Sequence, residues 1–159
     1  MEREMYKKDR QLPLEKTKEL FEKGHHGIIS VNGDDGYPYG VPVNYVYLND
    51  KIYIHSAKYG YKIEALEKND KVCFTAILSS QILPGKFTAA FESVIAFGKA
   101  ALIHDEAEKK EVLDTFIDRF SPDFKESGEK FIAGAIAKTA IIRIDVESIK
   151  GKAYTDGKW

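Results

Sequence analysis

Ser56, Gly60, Tyr61 and Lys62 lie within seven positions at the exit of an apolar run, in KIYIHSAKYGYK. Ser56 offers a hydroxyl, Gly60 permits a turn, and Tyr61 and Lys62 open a helical pattern. Free N–H groups at a helix start attract anions, and a Lys there adds a full positive charge. These residue types in this order suit a phosphate; a solvated Lys on a first helical turn is the plainer alternative. Upstream, Gly40 and Pro42 sit inside the strand-like run YGVPVNYVYL. Pro donates no backbone hydrogen bond and Gly carries no side chain, so the backbone from Val41 to Asn44 is left bare. A flat heteroaromatic ring with donors and acceptors on its edge could dock there. An edge strand explains the same Pro without any ligand. His55, between the two stretches, reads either as polar lining or as a functional group.

Other chemistries find no support. There is no GxxxxGK[ST] loop, no GxGxxG turn, no HExxH pair and no GxSxG elbow. His25, His26, His55 and His104 form no Cys/His cluster with zinc-ligand spacing, so no metal site is expected. The single Cys73 lies in the apolar run Val72-Cys73-Phe74 and reads as a small buried hydrophobe. It has no partner for an internal disulfide, which fits a cytoplasmic location. Glu92 and Ser93 stand near the start of a long apolar run, where a carboxylate either orients a partner or marks a wet strand end.

These residues must be positioned by strands. Tyr39 to Leu48 is expected as a strand with Val41, Val43, Tyr45 and Tyr47 on one face and Gly40, Pro42, Asn44 and Val46 on the other. Gly27 to Asn32 precedes it, across an Asp34-Asp35-Gly36 hairpin turn. Lys51 to His55 and Val72 to Leu78 follow, separated by a helix over Tyr61 to Lys68. Ser79 to Thr88, with Pro84-Gly85, reads as a loop. Ala90 to Ile103 is a long strand with a bulge or close approach at Gly98. Thr139 to Ile149 is the last, alternating cleanly.

Helices are expected over Pro13 to Lys23, with Leu14, Thr17, Leu20 and Phe21 on one face, and after the cap Asp105. The latter carries Val112, Leu113, Phe116, Ile117 and Phe120 and stops at Ser121-Pro122. A short helix is expected over Glu129 to Lys138. About six strands in sequential hairpins point to a mainly β, antiparallel barrel with flanking short helices, in one domain spanning 1–159. Five Tyr between Tyr37 and Tyr53 suggest half-wet surfaces, as at a cleft or a subunit interface. The formal net charge of −1 excludes recruitment of nucleic acid by a global field. No apolar run reaches the ~20 residues needed to span a bilayer, so no membrane is expected as partner.

The run GYPYGVPVNYVYLNDKIYIHSAKYGYKIEALEKNDKVCF resembles the flavin-binding split-barrel family related to pyridoxamine 5′-phosphate oxidase, nearest its Nim-type nitroimidazole-resistance branch. FESVIAFGKAALIHD and IIRIDVESIKGKA fit the same branch, and the likeness runs from about Lys8 to Lys152. It implies a six-stranded antiparallel split barrel, homodimeric, with FMN at the subunit interface. Carried over, Val41, Pro42, Val43 and Asn44 face the isoalloxazine ring. His55, Ser56 and Ala57 line the ring and ribityl chain, and Lys62 with Tyr61 holds the phosphate. Ser93 reaches in from the second subunit.

The activity implied is that of an FMN-dependent oxidoreductase moving electrons from NADH or NADPH to a small acceptor such as a nitro compound. No acid or base is then required, and His55 is the one catalytic candidate. Two departures point away from pyridoxamine phosphate oxidation: Tyr61 stands where the oxidases carry Arg, and the tail has Trp159 but little Arg. A flavin- or haem-binding protein without turnover is the alternative from another class, beside an enzyme like the oxidase.

Overall fold

The apolar alternation read from the sequence becomes a single rolled sheet. A computed structural model describes residues 4–155, so Trp159 lies outside the described residues. Among them, seven strands pair antiparallel throughout: β1 (His26–Asn32), β2 (Pro38–Asn44), β3 (Val46–Leu48), β4 (Lys51–Ala57), β5 (Lys71–Leu83), β6 (Thr88–Ile103) and β7 (Thr139–Tyr154). Their order is β2-β1-β5-β6-β7-β4-β3. The helices are α1 (Leu14–Lys23), α2 (Tyr61–Lys68), α3 (Glu106–Phe120) and α4 (Lys125–Ala135). This is the expected antiparallel split barrel with flanking helices, with seven strands where about six were expected. No helix among the described residues is long and apolar enough to cross a membrane.

The extra strand arises at Tyr45. The stretch expected as one strand, Tyr39 to Leu48, breaks there: β2 pairs with β1, and β3 pairs with β4. The two end strands of the sheet are therefore neighbours in the chain. Tyr45 is fully buried, its ring 4.8 Å from that of Phe21 and 4.9 Å from that of Phe74. Its hydroxyl donates to the Phe21 carbonyl at 2.7 Å, at the C-terminal end of α1. Desolvation pushes the phenol well above its ordinary range. A buried ring with a satisfied hydroxyl is a strong anchor, and here it anchors the point where the sheet divides.

Two cores result. The larger fills the barrel with Phe21, Ile29, Tyr45, Ile52, Ile54, Phe74, Val94, Ile142 and Ile144. The smaller lies outside it, where Val46, Tyr53, Ile103 and Ile141 meet Val112 and Phe116 of α3. Ile141 and Ile142 are both fully buried for this reason: alternation holds, but both faces are covered. The side chain of Asp105 accepts from the Glu108 N–H at 2.8 Å and so caps α3 as expected.

Four expectations need correction. Ser79 to Thr88 is a continuation of the β5–β6 hairpin to Leu83 and Thr88, closed by a tight turn with Phe87 at φ +52°. Ser79, Ser80 and Gln81 are polar because this arm is wet, and backbone ladders form regardless of side chain. β7 likewise runs past Ile149 to Tyr154, and α4 starts at Lys125 rather than Glu129. Leu14 is 52% exposed, leaving Thr17 and Phe21 as the buried face of α1. Gly98 is a bulge, as expected: the β6–β7 register shifts there, and a Cβ would press on the Asp145 carbonyl.

Candidate functional site

The sequence-predicted site residues gather where β2 and β4 part. Val46 pairs with Tyr53, so a continuous hairpin would set Asn44 against His55 and Pro42 against Ala57. Instead β2 takes its hydrogen bonds from β1, with Pro42 opposite Ile28 and Asn44 opposite His26. Beyond Tyr53, β4 is paired on one side only, with β7 from Ile54↔Ile142 to Ala57↔Thr139. The cleft is the gap where these two strands part and their facing edges stay unpaired. Val41 and Val43 turn toward the barrel core, while Pro42, Asn44, His55 and Ala57 are exposed. Pro42 lies on an end strand of the sheet, where its missing N–H is tolerated.

The cleft closes onto the start of α2. Gly60 adopts φ +125°, a region open to Gly, and its carbonyl accepts from the Ile63 and Glu64 N–H groups. The N–H groups of the first helical residues have no carbonyl within the helix to bond. Lys62 stands in this turn, partly buried, and burial lowers its pKa. Among the described residues it has no carboxylate partner. Ser56 points its Oγ into the protein, where it is buried without a hydrogen-bond partner among the described residues. An unsatisfied buried hydroxyl and an unpaired, half-buried ammonium are both costly unless something polar joins them. Tyr61 also makes a structural tie. Its hydroxyl accepts from the Asp34 N–H at 2.7 Å and its ring meets Tyr39 edge-on at 5.0 Å, so it ties α2 to the β1–β2 turn. Lys68 reinforces this tie with Asp34 at 2.9 Å.

His55 stands between cleft and helices. Its ring lies edge-on to Phe116 at 4.7 Å. Although the residue keeps exposed surface, desolvation of the ring on its packed side and, second, the Lys62 charge lower its pKa from the ordinary 6.5, which favours the neutral imidazole at pH 7. On its far side it opens into a cavity of about 490 Å³ between β4, α3 and α4.

A sequence model of the family described as pyridoxamine 5′-phosphate oxidase matches residues 14–153. The chain belongs to the pyridoxamine 5′-phosphate oxidase family. Among solved structures, a Bacteroides thetaiotaomicron protein named for 5-nitroimidazole antibiotic resistance is 26% identical, with a TM-score of 0.75 over 90% of this chain and 86% of that one. A flavocytochrome from Azotobacter vinelandii is 24% identical, with a TM-score of 0.78 over 96% of this chain and 72% of that one. A FAD-binding protein from Mesorhizobium loti is 22% identical, with a TM-score of 0.65 over 92% and 98%. The last two share the fold. No curated protein matches the chain in sequence.

Within this member of the oxidase family, one expected site residue stands apart. Ser93 is on β6, ten residues from Ile103, whose partner Ile141 pairs with His55. That is about 33 Å of strand. Ser93 Oγ lies 3.5 Å from the Lys152 carbonyl, beside a second hollow shared with Met5, Ile95 and Phe97. The sequence reading missed Phe124 and Phe131. They line the 490 Å³ cavity and are 67% and 75% exposed. Two bare aromatics flanking the polar start of a helix were the available clue.

Proposed function

We propose that the protein is an FMN-dependent oxidoreductase, holding its flavin in the cleft between β2, β4 and the start of α2. The observation that carries this reading is the pair of unmet polar groups there: the buried Ser56 Oγ and the half-buried Lys62 without a carboxylate. A phosphate ester satisfies both, and a helix start adds to the attraction. The exposed backbone and side chains of Pro42, Asn44 and Ala57 offer a surface for a flat ring. In this reading the flavin is FMN, with its single phosphate at Lys62.

When bound, the flavin supplies two-electron transfer from NADH or NADPH to a small acceptor such as a nitro compound. The chain itself binds and orients. Lys62 and Ser56 hold the phosphate and ribityl end. Val41 to Asn44 and Ala57 support the ring, and neutral His55 offers one donor and one acceptor without adding charge. Tyr61 acts behind the site by fixing α2 to the β1–β2 turn. The protein works as a homodimer in this reading, with Ser93 of a second copy completing the site. The β5–β6 arm supports that assembly, since Ile77, Ile82 and Phe87 are 66%, 70% and 97% exposed.

The absorption spectrum of purified protein after FMN addition and desalting tests the reading. Retained flavin bands that bleach anaerobically with a reduced nicotinamide are expected. Flavin lost on desalting removes the proposal. Retained flavin that is indifferent to both nicotinamides leaves a binding protein. Hydrogen peroxide formed from pyridoxamine 5′-phosphate would replace the proposed reaction with that of the oxidase.

A further inference from the structure

We propose that the cavity between β4, α3 and α4 is a binding site for a neutral, planar aromatic molecule seated against His55. Its volume, about 490 Å³, is in the range of small-molecule sites. Phe116, Phe120, Phe124 and Phe131 stand around it, with Ile132 behind and His55 at one wall. Rings meeting a ligand edge-to-face favour an aromatic guest over an aliphatic one.

Charge complementarity decides the rest. No Asp, Glu, Lys or Arg lines the cavity among the described residues. An ion entering it would leave water and meet no counter-charge in the lining; the Lys62 charge that reaches His55 lies outside it. The hydroxyls of Ser127 and Thr139 donate to the carbonyls of Phe124 and Ala135, at 3.0 Å each. His55 and Ser121 are thus the wall groups free to pin a ligand's polar atom, and His55 as a neutral ring can donate or accept. Haem has an imidazole to ligate here but no cation for its propionates. The walls are also set by packing: a Cβ on Gly128 of α4 would run into Ile117 of α3, so the helices already touch and cannot close further. Phe124 and Phe131, largely bare, frame the mouth.

As a binding site this cavity stands by itself. As the seat of the electron acceptor, next to a flavin across His55, it rests on the proposed function. Two fluorophores of the same shape separate the possibilities: neutral N-phenyl-1-naphthylamine and its sulfonated analogue 8-anilino-1-naphthalenesulfonate. Each is titrated into the full chain with and without FMN. Saturable single-site binding of the neutral dye is expected, with the sulfonate about tenfold weaker or worse. Ala135→Trp, which fills the cavity, should weaken the neutral dye about tenfold. Phe131→Ala, a change at an exposed position, should weaken it several-fold, and both variants should keep the far-UV circular dichroism and FMN affinity of the parent. Equal affinity for both dyes, no saturation, or binding untouched by both substitutions would overturn the inference. Stoichiometric haem uptake with a Soret band that Ala135→Trp abolishes would overturn it too. Dye binding by a protein that never takes FMN would uphold the cavity while removing the proposed function.

Discussion

The two halves of β4 differ in one respect that accounts for their different roles. From Lys51 to Tyr53 the strand has neighbours on both sides, β3 and β7. From Ile54 to Ala57 it has β7 alone. Tyr53 and His55 share a face two residues apart. Tyr53 is buried under α3, while His55 borders both the cleft and the cavity. Beside the doubly paired half, in β3 and the turn after it, polar groups are consumed by structure: Tyr47 donates to Asp50 at 2.7 Å, and Asp50 also pairs with Lys18 of α1 at 2.7 Å. In the singly paired half Ser56 is left unmet, as is Lys62 in the first turn of α2 beyond it. A strand that loses a neighbour exposes backbone and side chains to a ligand. The divergence that starts at Tyr45 creates that condition.

Four measurements break or sharpen this contrast. The largest effect is expected at the dividing point. Tyr45→Ala should cost about 3–5 kcal/mol of stability in chemical denaturation, as for other buried aromatics. Tyr45→Phe should cost about 1–2 kcal/mol, by removing the buried bond to the Phe21 carbonyl, which then keeps only the longer one from the Gly24 N–H. A loss under ~1 kcal/mol for the alanine variant would mean that Tyr45 does not hold the divide.

Next, Lys62→Ala should weaken FMN by about 1.5–3 kcal/mol in a fluorescence titration, while stability stays within ~0.5 kcal/mol. Unchanged affinity would remove Lys62 from the phosphate seat. Ser56→Ala makes a finer test. Removing an unmet buried hydroxyl should leave stability level or slightly raised, yet weaken FMN by ~0.5–1.5 kcal/mol. A clear loss of stability would show that the hydroxyl belongs to the fold and not to a ligand.

The smallest effect concerns His55. Its folded-state pKa is depressed, so the unfolded chain takes up its proton first as pH falls. The stability it lends is present above about the ordinary 6.5 and drains away on acidification below it. An NMR titration should place its midpoint below 6.5, and Lys62→Met should move the midpoint part of the way back. Because burial is the larger cause, full recovery in that variant would contradict the packing against Phe116.

Much of this was legible in the chain. Val41-Pro42-Val43-Asn44 was readable as strand, Lys51 to His55 as another, which the structure extends to Ala57, and Tyr61 to Lys68 as a helix, because periodicity and Gly/Pro placement are local properties. Gly98 and Asp105 announced a bulge and a cap for the same reason. The role of Tyr61 was not legible. Its hydroxyl accepts from Asp34, 27 positions away, and nothing near Tyr61 in sequence reports that. The paired arm from Ser79 to Leu83 was hidden because its side chains are wet on both sides while its backbone pairs.

By itself, the order of residues determined which segments extend, which coil, and which carry a hydroxyl, an imidazole or an ammonium, since those follow from local sterics and side-chain chemistry. The tertiary structure alone decided that β2 would leave β4 for β1, that Ser56 would be buried unmet, and that four phenylalanines would line one cavity with His55. Those outcomes depend on contacts between residues far apart in the chain, above all on where the Tyr45 ring finds room beside Phe21 and Phe74. No local pattern encodes the free energy of such a fit.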